Sequence, residues 1–163
     1  RIEEENKVKI THETHRQRLF WNPFSTFDIL SHADIKGTDL KLNADLSHWC
    51  VACERVFDPL TEPRDKWWPE YLALTARHIH YTHARVGFAQ GPQVSDPTAP
   101  EFEKEVSTHI TWWQEIWKSQ QSRGLSECWV NPEFGPAPYL PTLPHTQEPV
   151  ADLATVVESF KAR

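Results

Sequence analysis

The sequence predicts an α/β fold with parallel strands. Short apolar or β-branched runs alternate along the chain with longer amphipathic segments. Strands separated by helical crossovers pair in parallel, because only a connection of that length returns the chain to the same end of the sheet. Each short run also ends in polar, ionisable residues. The chain has 163 residues, 39% hydrophobic and 25% charged, which suits one globular domain with a real core.

The elements follow in order. "RIEEENKVK" is charged and helix-like, and "KVKITHETHR" is the first strand, with Val8 and Ile10 leading into Thr11, His12 and Glu13. "STFDILSHA" reads as a helix, with Ser25 as N-cap and Phe27, Ile29 and Leu30 as its apolar positions. "DLKLNADLSHW" is the second strand, placing Leu40, Leu42 and Ala44 on one face, and "HWCVACERVF" continues as a helix. "PEYLALTA" is helical, with Pro69 in its first turn. In the third strand, "HIHYTHARV", alternation puts Ile79, Tyr81, His83 and Arg85 on one face and His78, His80 and Thr82 on the other. "PEFEKEVSTHITWWQEIWKSQQSR" is the longest helix, closed by Gly124. Trp113 and Trp117 share its sheet-facing side, and Trp112 lies off that side, where it covers a neighbouring helix or a subunit. "SECWVNPEFG" is the fourth strand. "PVADLATVVESFKAR" is the last helix, with Val150, Leu153, Val156, Val157 and Phe160 at helical spacing.

Composition excludes several classes. The net charge of -6 argues against nucleic acid as a main partner, which calls for a basic face. No apolar run approaches the roughly 20 residues that span a bilayer, so no membrane association is expected. Three cysteines are too few and too odd in number for a disulfide scaffold, and a reducing, cytoplasmic compartment is the simpler reading. "WCVAC" has the thioredoxin-type spacing, but no thioredoxin-like sheet pattern surrounds it; Cys50 and Cys53 are expected to pack inward and react weakly. The chain contains no methionine and begins at Arg1, so further sequence upstream is expected.

Glu13, Asp45, one histidine of the third run and Glu133 stand at the C-terminal ends of the four strands. In barrels of eight βα units the reacting groups sit at that end. Such a barrel takes about 250 residues, so residues 1–163 read as half of a TIM (β/α)8 barrel. Carboxylates with one imidazole suit Mn²⁺, Mg²⁺ or Co²⁺, and zinc is also compatible.

"THETHR", "LNADLSHW", "HARVGFAQGPQVSDP" and "NPEFGPAPYLPTLPHTQEPVADL", in that order, resemble the sugar phosphate isomerase/epimerase group of the xylose isomerase-like barrels. The resemblance covers nearly the whole chain. It implies a divalent metal held by Glu13, Asp45, His83 and Glu133, His83 being the histidine that matches the His-Ala-Arg-Val-Gly pattern. His80 is the competing ligand, because the segment is spaced differently from the family's His-Ile-His-Ala-Arg form. The resemblance also implies that Glu13 and Glu133 exchange a proton with a sugar or sugar-phosphate substrate next to its carbonyl, through an enediolate. His48, Arg85 and His15 would bind that substrate. This chain would be the C-terminal half, strands five to eight, with the N-terminal half absent. Two other readings stand beside it. One is a metal-dependent hydrolase or endonuclease-like relative on the same scaffold. The other is a non-catalytic half-barrel that forms a homodimer or pairs with the missing half.

Overall fold

The structure is a computed structural model and describes residues 2–162. Strands β1 (His12–Glu13), β2 (Leu42–Ala44), β3 (Ile79–His83) and β4 (Trp129–Asn131) form one sheet in the order β1-β2-β3-β4, and every neighbouring pair is parallel. The helices among the described residues are α1 (Ile2–Asn6), α2 (Pro23–Lys36), α3 (Ser47–Ala52), α4 (Trp68–His78), α5 (Glu103–Ser122) and α6 (Leu153–Lys161). Strand order equals chain order, so each crossover steps to the same side. Right-handed crossovers that all step one way put their helices on one face of the sheet. The other face is left for the side chains of Glu13, Asn43 and His83, which meet there.

Several element boundaries differ from the sequence expectation. Val8 and Ile10 are not in β1; they stay 48% and 41% exposed. Glu3 of α1 takes their backbone instead, its carbonyl accepting from Val8 N and its carboxylate from Ile10 N at 2.7 Å. Helix α2 is capped by Asn22, whose Oδ1 accepts from Ser25 N at 2.9 Å, so Ser25 lies in the first turn and is not the cap. Helix α3 stops at Ala52, where Glu54 turns the chain with φ 52°. Helix α4 runs through His78, which removes that residue from the third strand; its Nδ1–H donates to the Leu40 carbonyl at 3.0 Å.

The face assignment in β3 also changes at its start. The register slips between Leu42 and Asn43, so Ile79 lies opposite Leu42 and Tyr81 opposite Asn43. Ile79 is fully buried with Leu42 in the core under the helices, while Tyr81 and His83 stay half-buried on the open face. A slip of this kind breaks the strict alternation that the sequence pattern assumes.

The core lies between sheet and helices, with Leu30, Leu42, Ala44, Trp49, Cys50, Ile79 and Ile116 at its centre. Trp112 is buried and packs on Trp68 of α4, ring centroids 4.8 Å apart, so it covers a neighbouring helix. Trp113 meets Phe160 of α6 at 5.9 Å. Gly87 has no room for a side chain, since a Cβ there would lie 2.7 Å from the Ser47 backbone.

His109 of α5 ties the segment after β3 to the helix layer. Its Nδ1–H donates to the Glu105 carbonyl at 2.8 Å, and its Nε2 accepts from Gly87 N at 3.2 Å. The bond from Gly87 needs the neutral ring, and burial lowers its pKa to about 4, against the Glu105 carbonyl, which favours the charged ring. The unfolded histidine titrates near about 6.5, so as pH falls below that value the unfolded chain takes a proton the folded chain refuses. Stability from this group is therefore present above pH 6.5 and is lost progressively down to about pH 4. Chemical denaturation at pH 7 and pH 4.5 should show His109→Leu with a shallower acid loss than wild type; equal slopes would contradict a neutral buried His109.

Candidate metal centre

The sheet brings Glu13, Asp45, His83 and Glu133 together. One ligand atom from each lies within 4.8 Å of all the others. Glu13 and His83 are the last residues of β1 and β3, Asp45 follows β2 by one residue, and Glu133 follows β4 by two. His83 Nδ1 is 3.1 Å from Glu13 Oε1 and 2.5 Å from Glu133 Oε2. On its other side, Nε2 lies 3.0 Å from Asn43 Nδ2. Asp45 is fully buried; its backbone N–H donates to Thr14 Oγ1 at 2.8 Å, and Ser47 Oγ donates to its Oδ1.

Three carboxylates this close repel one another unless cations intervene. Two do. The Arg85 guanidinium, 2% exposed, donates to Asp45 Oδ2 and stands 3.7 Å from Glu133 Oε2. His83 supplies the second. Burial works against charging it, but hydrogen bonds to Glu13 and Glu133 outweigh burial and raise its pKa to about 9. The hydrogen bond from His83 holds the Glu13 carboxyl below its ordinary range. Burial opposes the same shift at Glu133, where His83 and Arg85 prevail. At Asp45 burial wins over Arg85, and the pKa rises to about 6.

The substrate residues expected from sequence sit as follows. His48 is fully buried, with Nε2 3.0 Å from Arg85 Nη2 and 3.5 Å from Asp45 Oδ2. Burial lowers its pKa to about 3, so it is neutral and its Nε2 accepts from Arg85. The half-buried His15 ring lies 3.9 Å from the His48 ring and forms the outer layer. His80 is outside the cluster, 3.5 Å from Arg123 at the opposite end of β3, and His78 pairs with Asp34 at 3.1 Å. Sequence reasoning missed Asn43 and Tyr139. Tyr139, in the loop after β4, spreads its ring 4.5 Å from the Arg85 guanidinium carbon. Asn43 was legible as the residue between two core positions in β2, hence on the open face; Tyr139 carried no positional signal.

Burial pushes the Cys50 thiol well up and the Cys53 thiol to about 11, and both are free, in line with weak reactivity. Among the described residues no helix is long and apolar enough to cross a membrane. Compared with family models, curated proteins and solved structures, the chain matches none. Fold and site define a coarse class: an α/β chain whose parallel sheet gathers Glu, Asp, His and Glu at one edge.

The donor set fits a divalent ion, since one imidazole and three carboxylates suit metals of intermediate hardness. An ion held through His83 Nδ1 would displace the proton there. Mn²⁺ affinity should therefore rise about tenfold per pH unit between pH 6 and about pH 9, then level off, as measured by calorimetric titration. A flat profile would remove His83 from the ligand set. In the same assay His83→Ala should lose far more affinity than His80→Ala; the reverse order would move the site to the other end of the strand.

Proposed function

We propose that the chain binds a divalent metal ion through Glu13, Asp45, His83 and Glu133 and forms the C-terminal half of a TIM (β/α)8 barrel. We assign that barrel to the metal-dependent sugar or sugar-phosphate isomerases and epimerases. The observation that carries this reading is the convergence of those side chains, one from each strand, within 4.8 Å. The singly wound order of the sheet supports a barrel segment, because a doubly wound sheet reverses its strand order.

A divalent ion held there supplies Lewis-acid polarisation of a substrate carbonyl and its neighbouring hydroxyl. The protein groups do the rest. Glu13 and Glu133 flank His83 on Nδ1 and are held as carboxylates; one accepts the proton next to the carbonyl, and the other, once it has taken a proton from solvent, delivers one in its place, the first losing its proton to solvent to complete the cycle. Arg85 offers its guanidinium to substrate oxygens as well as to Asp45. His48, buried behind Arg85, orients that guanidinium, and His15 borders the entrance.

The open sheet edges favour a second role for the isolated chain, as a unit that pairs with further strands. Strand β4 leaves Trp129 and Val130 61% and 38% exposed, a face that additional strands or a second copy would cover. Turnover then depends on loops from the other half, which enclose substrate and exclude water.

Asp45→Asn should weaken Mn²⁺ binding by about tenfold or more, since the buried carboxylate is replaced by a neutral amide. Aldose–ketose isomerisation and epimerisation with Mn²⁺ should be far faster in a chain extended upstream by four further βα units than in residues 1–163 alone. Glu13→Gln and Glu133→Gln in the extended chain should lose turnover while still folding. Comparable turnover from the short and long chains would contradict the half-barrel assignment.

A further inference from the structure

The segment "GPQVSDP" between β3 and α5 contains a glutamine, Gln93, that is 2% exposed although it lies in a loop. Its side-chain amide makes two bonds to one residue of the loop after β4. Gln93 Nε2–H donates to the Gly135 carbonyl at 3.0 Å, and Gly135 N–H donates to Gln93 Oε1 at 2.8 Å. A primary amide that gives and takes in this way imitates the backbone of a neighbouring strand.

The imitation falls where real pairing stops. The β3–β4 ladder ends at His83 and Asn131, with the Ala84 N–H on the Asn131 carbonyl at 2.8 Å closing it. Pro132 follows and has no N–H to give. Glu133 lies between that last rung and Gly135, so its backbone is held on one side by the sheet and on the other by Gln93. The anchor is itself fixed, because Val94 N–H donates to the Val86 carbonyl at 2.9 Å and both valines are fully buried. Tyr139 continues the chain of contacts. A Cβ on Gly135 would lie 3.3 Å from the Tyr139 ring, so that ring rests on the clamped glycine while its face covers Arg85.

We infer that Gln93 is a positioning residue for the site: by clamping Gly135 it sets Glu133 against His83 and Tyr139 against Arg85. This rests on the metal reading for its functional meaning, and the experiment separates the two. Gln93→Met keeps the length of the side chain and loses both amide bonds. Gln93→Glu keeps an acceptor for Gly135 N–H. In the metal-free full chain, NMR should show close contacts between the His83 ring and the Glu133 side chain in wild type, lost in Gln93→Met and partly retained in Gln93→Glu. Mn²⁺ affinity should fall by about tenfold or more in Gln93→Met, the range typical of residues that orient metal ligands, with Gln93→Glu between.

Contacts and affinity both unchanged in Gln93→Met overturn the inference, even if the variant melts at a lower temperature. If Gln93→Met does not fold, amide exchange in wild type decides. Gly135 protected like the β3 amides supports the clamp, and Gly135 exchanging at the rate of solvent-exposed backbone overturns it. A wild-type chain that binds no Mn²⁺, yet loses the His83–Glu133 contact in Gln93→Met, overturns the metal reading and upholds the positioning role.

Discussion

Four strands that run the same way must end at the same edge of their sheet, and here each delivers an ionisable side chain to that edge. This constraint governs the site. Parallel pairing in chain order puts Glu13, Asp45 and Glu133 around His83, although 120 residues separate the first from the last. Like charges about 4 Å apart cost on the order of 4 kcal/mol per pair near a protein surface. The fold therefore has to supply compensating cations wherever it gathers these carboxylates.

Arg85 and His83 meet that requirement in different ways. Arg85 is permanently charged, buried, and fixed by Asp45, Ser47, His48 and Tyr139. His83 is charged only while it holds an extra proton, which its carboxylate neighbours favour. Three carboxylates against Arg85 leave a formal charge of about minus two once His83 is neutral, so a divalent cation balances the cluster where a monovalent one does not. By the same arithmetic, the extra proton on His83 would compete with a metal ion bound there. Asp45, the most buried carboxylate of the set, is partnered on both oxygens, by Arg85 on Oδ2 and by Ser47 on Oδ1.

Much of this was legible in the sequence because it is local. Helices α4, α5 and α6 announced themselves by apolar spacing, Pro69 and Gly124, and the strand ends by the polar residues that follow apolar runs. What escaped was decided between segments. Glu3 takes the backbone of Val8 and Ile10 and so shortens β1, a contact that alternation of Val8 and Ile10 cannot reveal. Asn22 outcompetes Ser25 as a cap because Pro23 starts the helix earlier. The register slip in β2 and β3 moved Ile79 to the helix side, and a slip leaves no trace in a pattern of period two. Tyr139 and Gln93 work across loops, where spacing carries no information about direction.

The central claim is that one metal ion is held jointly by a histidine and carboxylates from four strands. X-ray absorption at the manganese edge of the Mn²⁺-loaded full chain tests it most directly, because a bound imidazole ring scatters in a way that water and carboxylate oxygens do not. The expected spectrum is that of an all-oxygen and nitrogen shell containing a single imidazole, lost in His83→Ala. A spectrum of hydrated manganese without imidazole scattering, or one unchanged in His83→Ala, would contradict it.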